Sequence, residues 1–228
     1  MPNRPNRLKK LSKKLDIDSG RRLTLAEAAD AVRRGKLVLF PTESVFGLGC
    51  DITDTDAVAA LFRLKKRPPA KALPVIIGGR GQLGLAAAHV PPHALRLADI
   101  FWPGPLSILF DARPELTPLL TAGSGRVAVR VPAHHAAREL CLACGRPLVA
   151  TSANISSMPA TADPKELAPE LLRETAGIFC GDPPPSGGLP STIVDLAADG
   201  TVRVLRTGAV TEARLQETGF VVVRGTAD

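Results

Sequence analysis

Hydroxyl, amide and cationic side chains gather at the ends of apolar runs in four places along this sequence. The first is PTESVFGLG at 41–49, where Thr42 and Ser44 bracket the carboxylate of Glu43 and two glycines permit close backbone approach. The second is KKRPPAKALPVII at 65–77, which sets Lys65, Arg67 and Lys71 beside a rigid Pro-Pro turn. One or two cations there would complement a helix dipole; four in seven residues, Lys66 included, suit a phosphate clamp. The third pairs VAVRVP (127–132) with PLVATSANIS (147–156), offering Arg130, Ser152 and Asn154. Arg130 sits mid-strand opposite the valine face, so it needs an anionic partner such as a ligand carboxylate. The fourth joins LPSTIVD (189–195), with Ser191, to VLRTGA (204–209), with Arg206. Each cluster also has a plainer reading, as a turn whose Ser, Thr or Asn bonds its own backbone. The histidines (His89, His93, His134, His135) lie outside all four clusters, and no P-loop, G-x-G-x-x-G, H-E-x-x-H or G-x-S-x-G occurs. Fixed cations with hydroxyl and amide donors suit anion binding and phosphoryl or nucleotidyl transfer, where catalysis is positioning plus electrostatic stabilisation.

Strands and helices alternate around these clusters. Thr24 and Glu27 form a capping box, followed by an apolar stripe (Leu25, Ala28, Ala29, Val32) that stops at Gly35. KLVLFP reads as a buried strand, and Asp54 to Lys66 as a helix with Val58, Leu61, Phe62 and Lys65 on one side. Further strands are predicted at 73–77, 106–110, 127–131, 148–151, 192–196, 202–205 and 220–223, and helices at 92–101, 134–144, 164–175 and 211–217. Several strands follow one another without a helix, so the expected architecture is a single α/β domain on a mixed sheet. The PPPSGG stretch at 183–188 reads as a flexible surface loop.

With 45% hydrophobic and 22% charged residues, the 228-residue chain can bury a full core. No apolar run approaches the ~20 residues of a membrane span, and no apolar signal core follows the basic N-terminus, so a cytoplasmic protein is expected. The net charge of +7 is unevenly distributed: residues 1–22 carry +6 of it, leaving 23–228 nearly neutral. We therefore divide the chain into a basic, disordered tail (1–22) and one domain (23–228). The tail reads either as a solvated extension or as a polyanion contact for tRNA or double-stranded RNA. Cys141 and Cys144 form a C-x-x-C without a second pair or suitably spaced histidines, so all four cysteines read as core thiols and no protein metal site is expected.

In the order PTESVFGLGCD, Lys65-Lys66-Arg67, WPGPLSILF, VAVRVP, Ser152-Ala153-Asn154, PSTIVD and VLRTGA, the chain resembles the YrdC/TsaC family over roughly 23–209. The resemblance implies a single twisted α/β domain with a concave, positively charged cleft. It also implies a nucleotidyltransferase that converts L-threonine, bicarbonate and ATP to threonylcarbamoyl-AMP and pyrophosphate, for tRNA threonylcarbamoyladenosine modification. Carried over by position, Thr42, Ser44, Arg130 and Ser191 would bind threonine. Lys65, Arg67, Lys71, Ser152, Asn154, Thr161 and Arg206 would bind ATP, with Lys65, Arg67, Ser152 and Asn154 acting on the reacting phosphates; Arg126 is a further match. Mg²⁺ would bridge phosphates without a protein cage, and a transferase complex would accept the adenylate. Three positions depart from the family pattern: Ser44 for Thr, Phe46 for Tyr and Ser157 for Gly. With 19 residues after Ala209, the additional C-terminal domain of larger members is not expected here. The competing readings are a non-catalytic RNA-binding or ribosome-maturation protein and a carbamoyl-AMP-forming carbamoyltransferase.

Overall fold

Thr24 opens the first helix as its sequence requires. Its hydroxyl accepts from the Glu27 amide at 3.3 Å while the Glu27 carboxylate accepts from the Thr24 amide at 2.9 Å. A computed structural model describes residues 20–225 of the protein. Within them, α1 (Leu25–Arg33) buries Ala28, Ala29 and Val32 and ends before Gly35 at φ 70°. These side chains share a core with Ala137, Leu140 and Cys141 of α5 (His135–Cys144) and with Phe40 of β2 (Val38–Pro41). All four β2 residues are buried, each large apolar one contributing about 1.5–3 kcal/mol by leaving water. Helix α2 (Thr55–Lys65) is capped by Asp54 and ends at Lys66, whose left-handed φ of 51° turns the chain out of the helix.

Two mixed sheets carry the fold, rather than the single sheet expected. One has the order β1 (Arg22–Leu23), β9 (Ile178–Phe179), β2, β3 (Phe46–Gly49), β8 (Thr151–Ser152). The other runs β12 (Val222–Arg224), β11 (Val202–Arg206), β10 (Thr192–Leu196), β5 (Leu106–Asp111), β6 (Arg126–Arg130), β4 (Val75–Ile76), β7 (Leu148–Val149). Residues 148–151, expected as one strand, are divided: β7 belongs to one sheet, β8 to the other, and only Ala150 separates them. The helix expected over 164–175 is a 3₁₀ turn at Pro164–Glu166 followed by α6 (Pro169–Glu174), because Pro169 cannot donate to a continuing ladder. Helix α3 (Pro92–Phe101) has the predicted bounds.

The largest departure is within PTESVFGLG. Phe46–Gly49, expected as loop, is a strand paired antiparallel with β2, with Phe46 opposite Pro41 and Gly49 opposite Val38. Its glycines permit close approach, as expected, but between strands: a Cβ on Gly49 would collide with the Val149 carbonyl oxygen, and one on Gly47 would lie 3.1 Å from the Phe40 ring. The N-terminal strand also crosses the expected tail boundary, since Arg22 pairs with Ile178 and Arg21 O accepts from Ile178 N at 2.7 Å. The rest of the basic tail, residues 1–19, lies outside the described residues.

Candidate functional site

The ends of β2, β4, β6, β8 and β11, with the start of β10, converge on one open cleft of about 230 Å³. Thr42, Ser44, Arg67, Arg130, Ser152, Ser191 and Arg206 line it, over a wall that includes Phe46, Ile76 and Ala150. Seven side chains separated by up to 164 positions in sequence thus meet at one place. The switch of sheets at Ala150 is what brings Ser152 against β3, where it pairs with Gly47.

Thr42 is spent locally: its hydroxyl donates to Val45 O at 2.7 Å and its amide donates to the same oxygen at 3.1 Å, closing the turn between β2 and β3. Ser44, half-buried in that turn, makes no side-chain hydrogen bond among the described residues and lines the cleft with a free hydroxyl. Arg130 is the last residue of β6, not its middle, and its anionic partner within the chain is Glu43. Nη1 donates to Oε1 at 2.8 Å and Nη2 to Oε2 at 3.1 Å, a bidentate pair. The Ala133 amide also donates to Oε1. Burial works to raise the Glu43 pKa, but the Arg130 charge and hydrogen bonds and the Ala133 amide hold it below the usual carboxylate value.

The other two cleft arginines have no carboxylate partner among the described residues. Arg67 donates from Nε to Lys71 O at 3.0 Å and from Nη2 to Ala72 O at 2.7 Å, bracing the Pro-Pro turn. Arg206 donates from Nη2 to Ser191 O at 2.7 Å and to Ser191 Oγ at 3.1 Å. Burial lowers the pKa of both, and the charges of Arg130 and Arg67 lower that of Arg206 further, so these cations repel one another across the cleft.

Lys65 does not line the cleft. It is 2% exposed, and Nζ donates to Ser152 O at 2.6 Å, Asn154 O at 2.5 Å and Asn154 Oδ1 at 3.2 Å. Burial, reinforced by the Arg67 charge, pushes its pKa down to about 8. Asn154 is likewise engaged, accepting from Ser152 Oγ at 2.5 Å and donating to Met158 O. With Thr161 it lines a neighbouring hollow of about 320 Å³. The Thr161 hydroxyl donates to Glu166 at 2.5 Å, while its carbonyl accepts from Phe46 N at 2.9 Å, tying that hollow to the cleft wall. Lys71 is exposed and reaches the cleft only through its carbonyl. Arg126 is held by Asp195 at 2.7 Å and Asp111 at 3.2 Å.

The Sua5/YciO/YrdC family model, described as telomere recombination, matches residues 30–208. The chain belongs to this family. It is 37% identical over 194 residues to a threonylcarbamoyl-AMP synthase of Bacillus subtilis, covering 84% of this chain and 55% of that protein. It is 38% identical over 185 residues to one of Stenotrophomonas maltophilia, covering 79% of this chain and 98% of that protein. A crystal structure of P. abyssi Sua5 complexed with L-threonine superposes with a TM-score of 0.79 at 32% identity, covering 89% of this chain and 61% of that one. The chain thus spans about half the length of some family members and nearly all of others.

The three family departures have distinct surroundings. Ser44 keeps a hydroxyl on the cleft, and Phe46 is 3% exposed. Ser157, where the family pattern has glycine, holds a φ of 73°, a region that favours glycine. Glu43 is the residue absent from the expected site set. The demand for an anion beside Arg130 was the available signal, and the PTESV motif already carried the carboxylate.

Proposed function

We propose that this chain forms threonylcarbamoyl-AMP and pyrophosphate from L-threonine, bicarbonate and ATP. The observation that carries this reading is the convergence of Ser44, Arg67, Arg130, Ser152, Ser191 and Arg206 on one cleft, in a family whose curated members bear that activity in their names. Arg130 takes the threonine carboxylate, with Ser44 and Ser191 as hydroxyl partners for the amino acid. Arg67 and Arg206, which meet no carboxylate among the described residues, take the ATP phosphates, and the Ser152 hydroxyl completes that end. Lys65 and Asn154 hold the Ser152 segment in place; Lys71 and Thr161 are outlying members of the nucleotide end.

The threonine amine forms a bond to the carbon of bicarbonate with loss of water, giving N-carboxythreonine. An oxygen of its new N-carboxylate (carbamate) group forms a bond to the α-phosphorus of ATP as the bond to the pyrophosphate oxygen breaks. The guanidinium groups neutralise charge on the α-phosphate and on the leaving group, a role that removes barrier height only if they are fixed before reaction. The backbone carbonyls gripping Arg67 and Arg206 provide that fixing. Magnesium fits here only as part of the nucleotide. No group of three or more His, Cys, Asp or Glu that could hold a metal exists among the described residues, and Glu43 is committed to Arg130. No described helix is long and apolar enough to cross a membrane. The activity proposed here belongs in the cytoplasm, beside a tRNA-modifying complex that would accept the adenylate.

Pyrophosphate release by the purified chain is the test. It should require ATP, threonine and bicarbonate together, and mass spectrometry should find the adenylate. Release that ignores both threonine and bicarbonate would refute the proposal.

A further inference from the structure

Among the described residues, Glu43 is the one carboxylate bonded to any of the three cleft arginines. Its contacts reach further than one ion pair. The carboxylate takes the end-on fork of Arg130, Nη1 and Nη2, and also accepts from the Ala133 amide. Its backbone carbonyl accepts from Ser186 N at 3.0 Å and Ser186 Oγ at 3.1 Å, and the next carbonyl, Ser44 O, accepts from Gly187 N at 2.8 Å. Nη1 of Arg130 has its second contact with Gly104 O at 3.4 Å. That leaves the side edge of the guanidinium, Nε and the outer hydrogen of Nη2, without a partner among the described residues. A guanidinium presents five N–H groups in a rigid plane, so fixing one fork fixes the direction of the other.

We propose that Glu43 is the positioning residue for the amino-acid subsite: by filling the end fork of Arg130 it aims the side fork at the carboxylate of the incoming amino acid. It also cancels one positive charge at that end, so a singly charged carboxylate is preferred there and the phosphates are left to Arg67 and Arg206. The role rests on the threonine-activating function proposed above. It assigns no bond-making to Glu43, whose oxygens are both taken.

The test has two independent parts. In pyrophosphate release, Glu43→Gln should raise KM for threonine about 10- to 100-fold, the worth of a charge-assisted hydrogen-bond pair, while KM for ATP stays within about twofold. Glu43→Asp, which keeps the charge, should recover most of the loss. In the ligand-free protein, the Nε–H signal of Arg130, assigned by its disappearance in Arg130→Lys, should be sharp in the ¹H–¹⁵N spectrum and broaden in Glu43→Gln. Equal rises in both KM values, or a sharp Arg130 signal that persists in Glu43→Gln, would overturn the role. Should Glu43→Gln not fold, the same two comparisons are read on Glu43→Asp, where a wild-type signal with an ATP-side defect overturns it. A wild-type chain that never uses threonine would refute the function, and the Arg130 signal would still decide what Glu43 does.

Discussion

The two ends of the cleft handle charge in opposite ways. At one end Arg130 is half-buried and meets its own carboxylate, so its charge is largely balanced before any ligand arrives. At the other, Arg67 and Arg206 are gripped by backbone carbonyls, with the Ser191 hydroxyl added at Arg206, and neither meets a carboxylate among the described residues. Carbonyl dipoles orient a guanidinium without cancelling its charge. The lesson is that number of arginines does not set what a site binds; the number left uncompensated does. One balanced arginine suits a carboxylate, and two unbalanced ones suit a polyphosphate.

The sharpest way to break this comparison is to truncate one arginine at each end. Arg67→Ala should cut adenylate synthesis by ~10²–10³, equivalent to ~2.7–4 kcal/mol of lost stabilisation of developing charge, with the fold intact by circular dichroism. Arg130→Ala should act instead on the threonine requirement, raising KM for threonine more than KM for ATP. Steady-state titration of each substrate checks both. If the two variants show the same pattern, the ends are not functionally distinct.

A smaller effect is expected at Lys65, which holds the Ser152 segment between the ends. Its folded pKa of about 8 lies below the ordinary 10.5, so between those values the unfolded chain binds the extra proton. Stability must then rise with pH across that window, by up to ~1.4 kcal/mol per pH unit, and be free of this dependence below about pH 8. Urea unfolding of the wild type and Lys65→Met at several pH values isolates the lysine by difference. A difference that is flat from pH 8 to 10.5 would show that Lys65 is not a desolvated cation.

The smallest effect belongs to Ser157, beside the same segment. Relief of its left-handed backbone by Ser157→Gly should raise stability by about 1 kcal/mol or less, because glycine's greater freedom in the unfolded chain offsets part of the gain. Thermal unfolding measures it, and a loss of stability would mean that the serine side chain contributes more than its backbone costs.

Much of this was legible in the residues. The capping box at Thr24, the bounds of α3 and the β10 strand follow from local pattern, because each is set by neighbours in sequence. The cleft side chains were legible as types at strand ends. What escaped was non-local. The FGLG run has the composition of a turn, and it is a strand only because β2 and Val149 lie close enough to exclude a Cβ. The two-residue strands β1 and β9 carry no periodicity to read. Lys65 looked like one more cation in a clamp, whereas its burial against the carbonyls of Ser152 and Asn154 depends on contacts 87 and 89 positions away.

The single-residue crossing at Ala150 has a consequence for how the protein opens. Neither sheet holds a complete cleft, since Ser44 and Ser152 come from one and Arg130, Ser191 and Arg206 from the other. A ligand spanning both can be held only while the sheets are formed and docked. Its binding energy is therefore spent against global opening and not against local fraying, and saturating ligand should slow amide exchange in the cores of both sheets by one common factor.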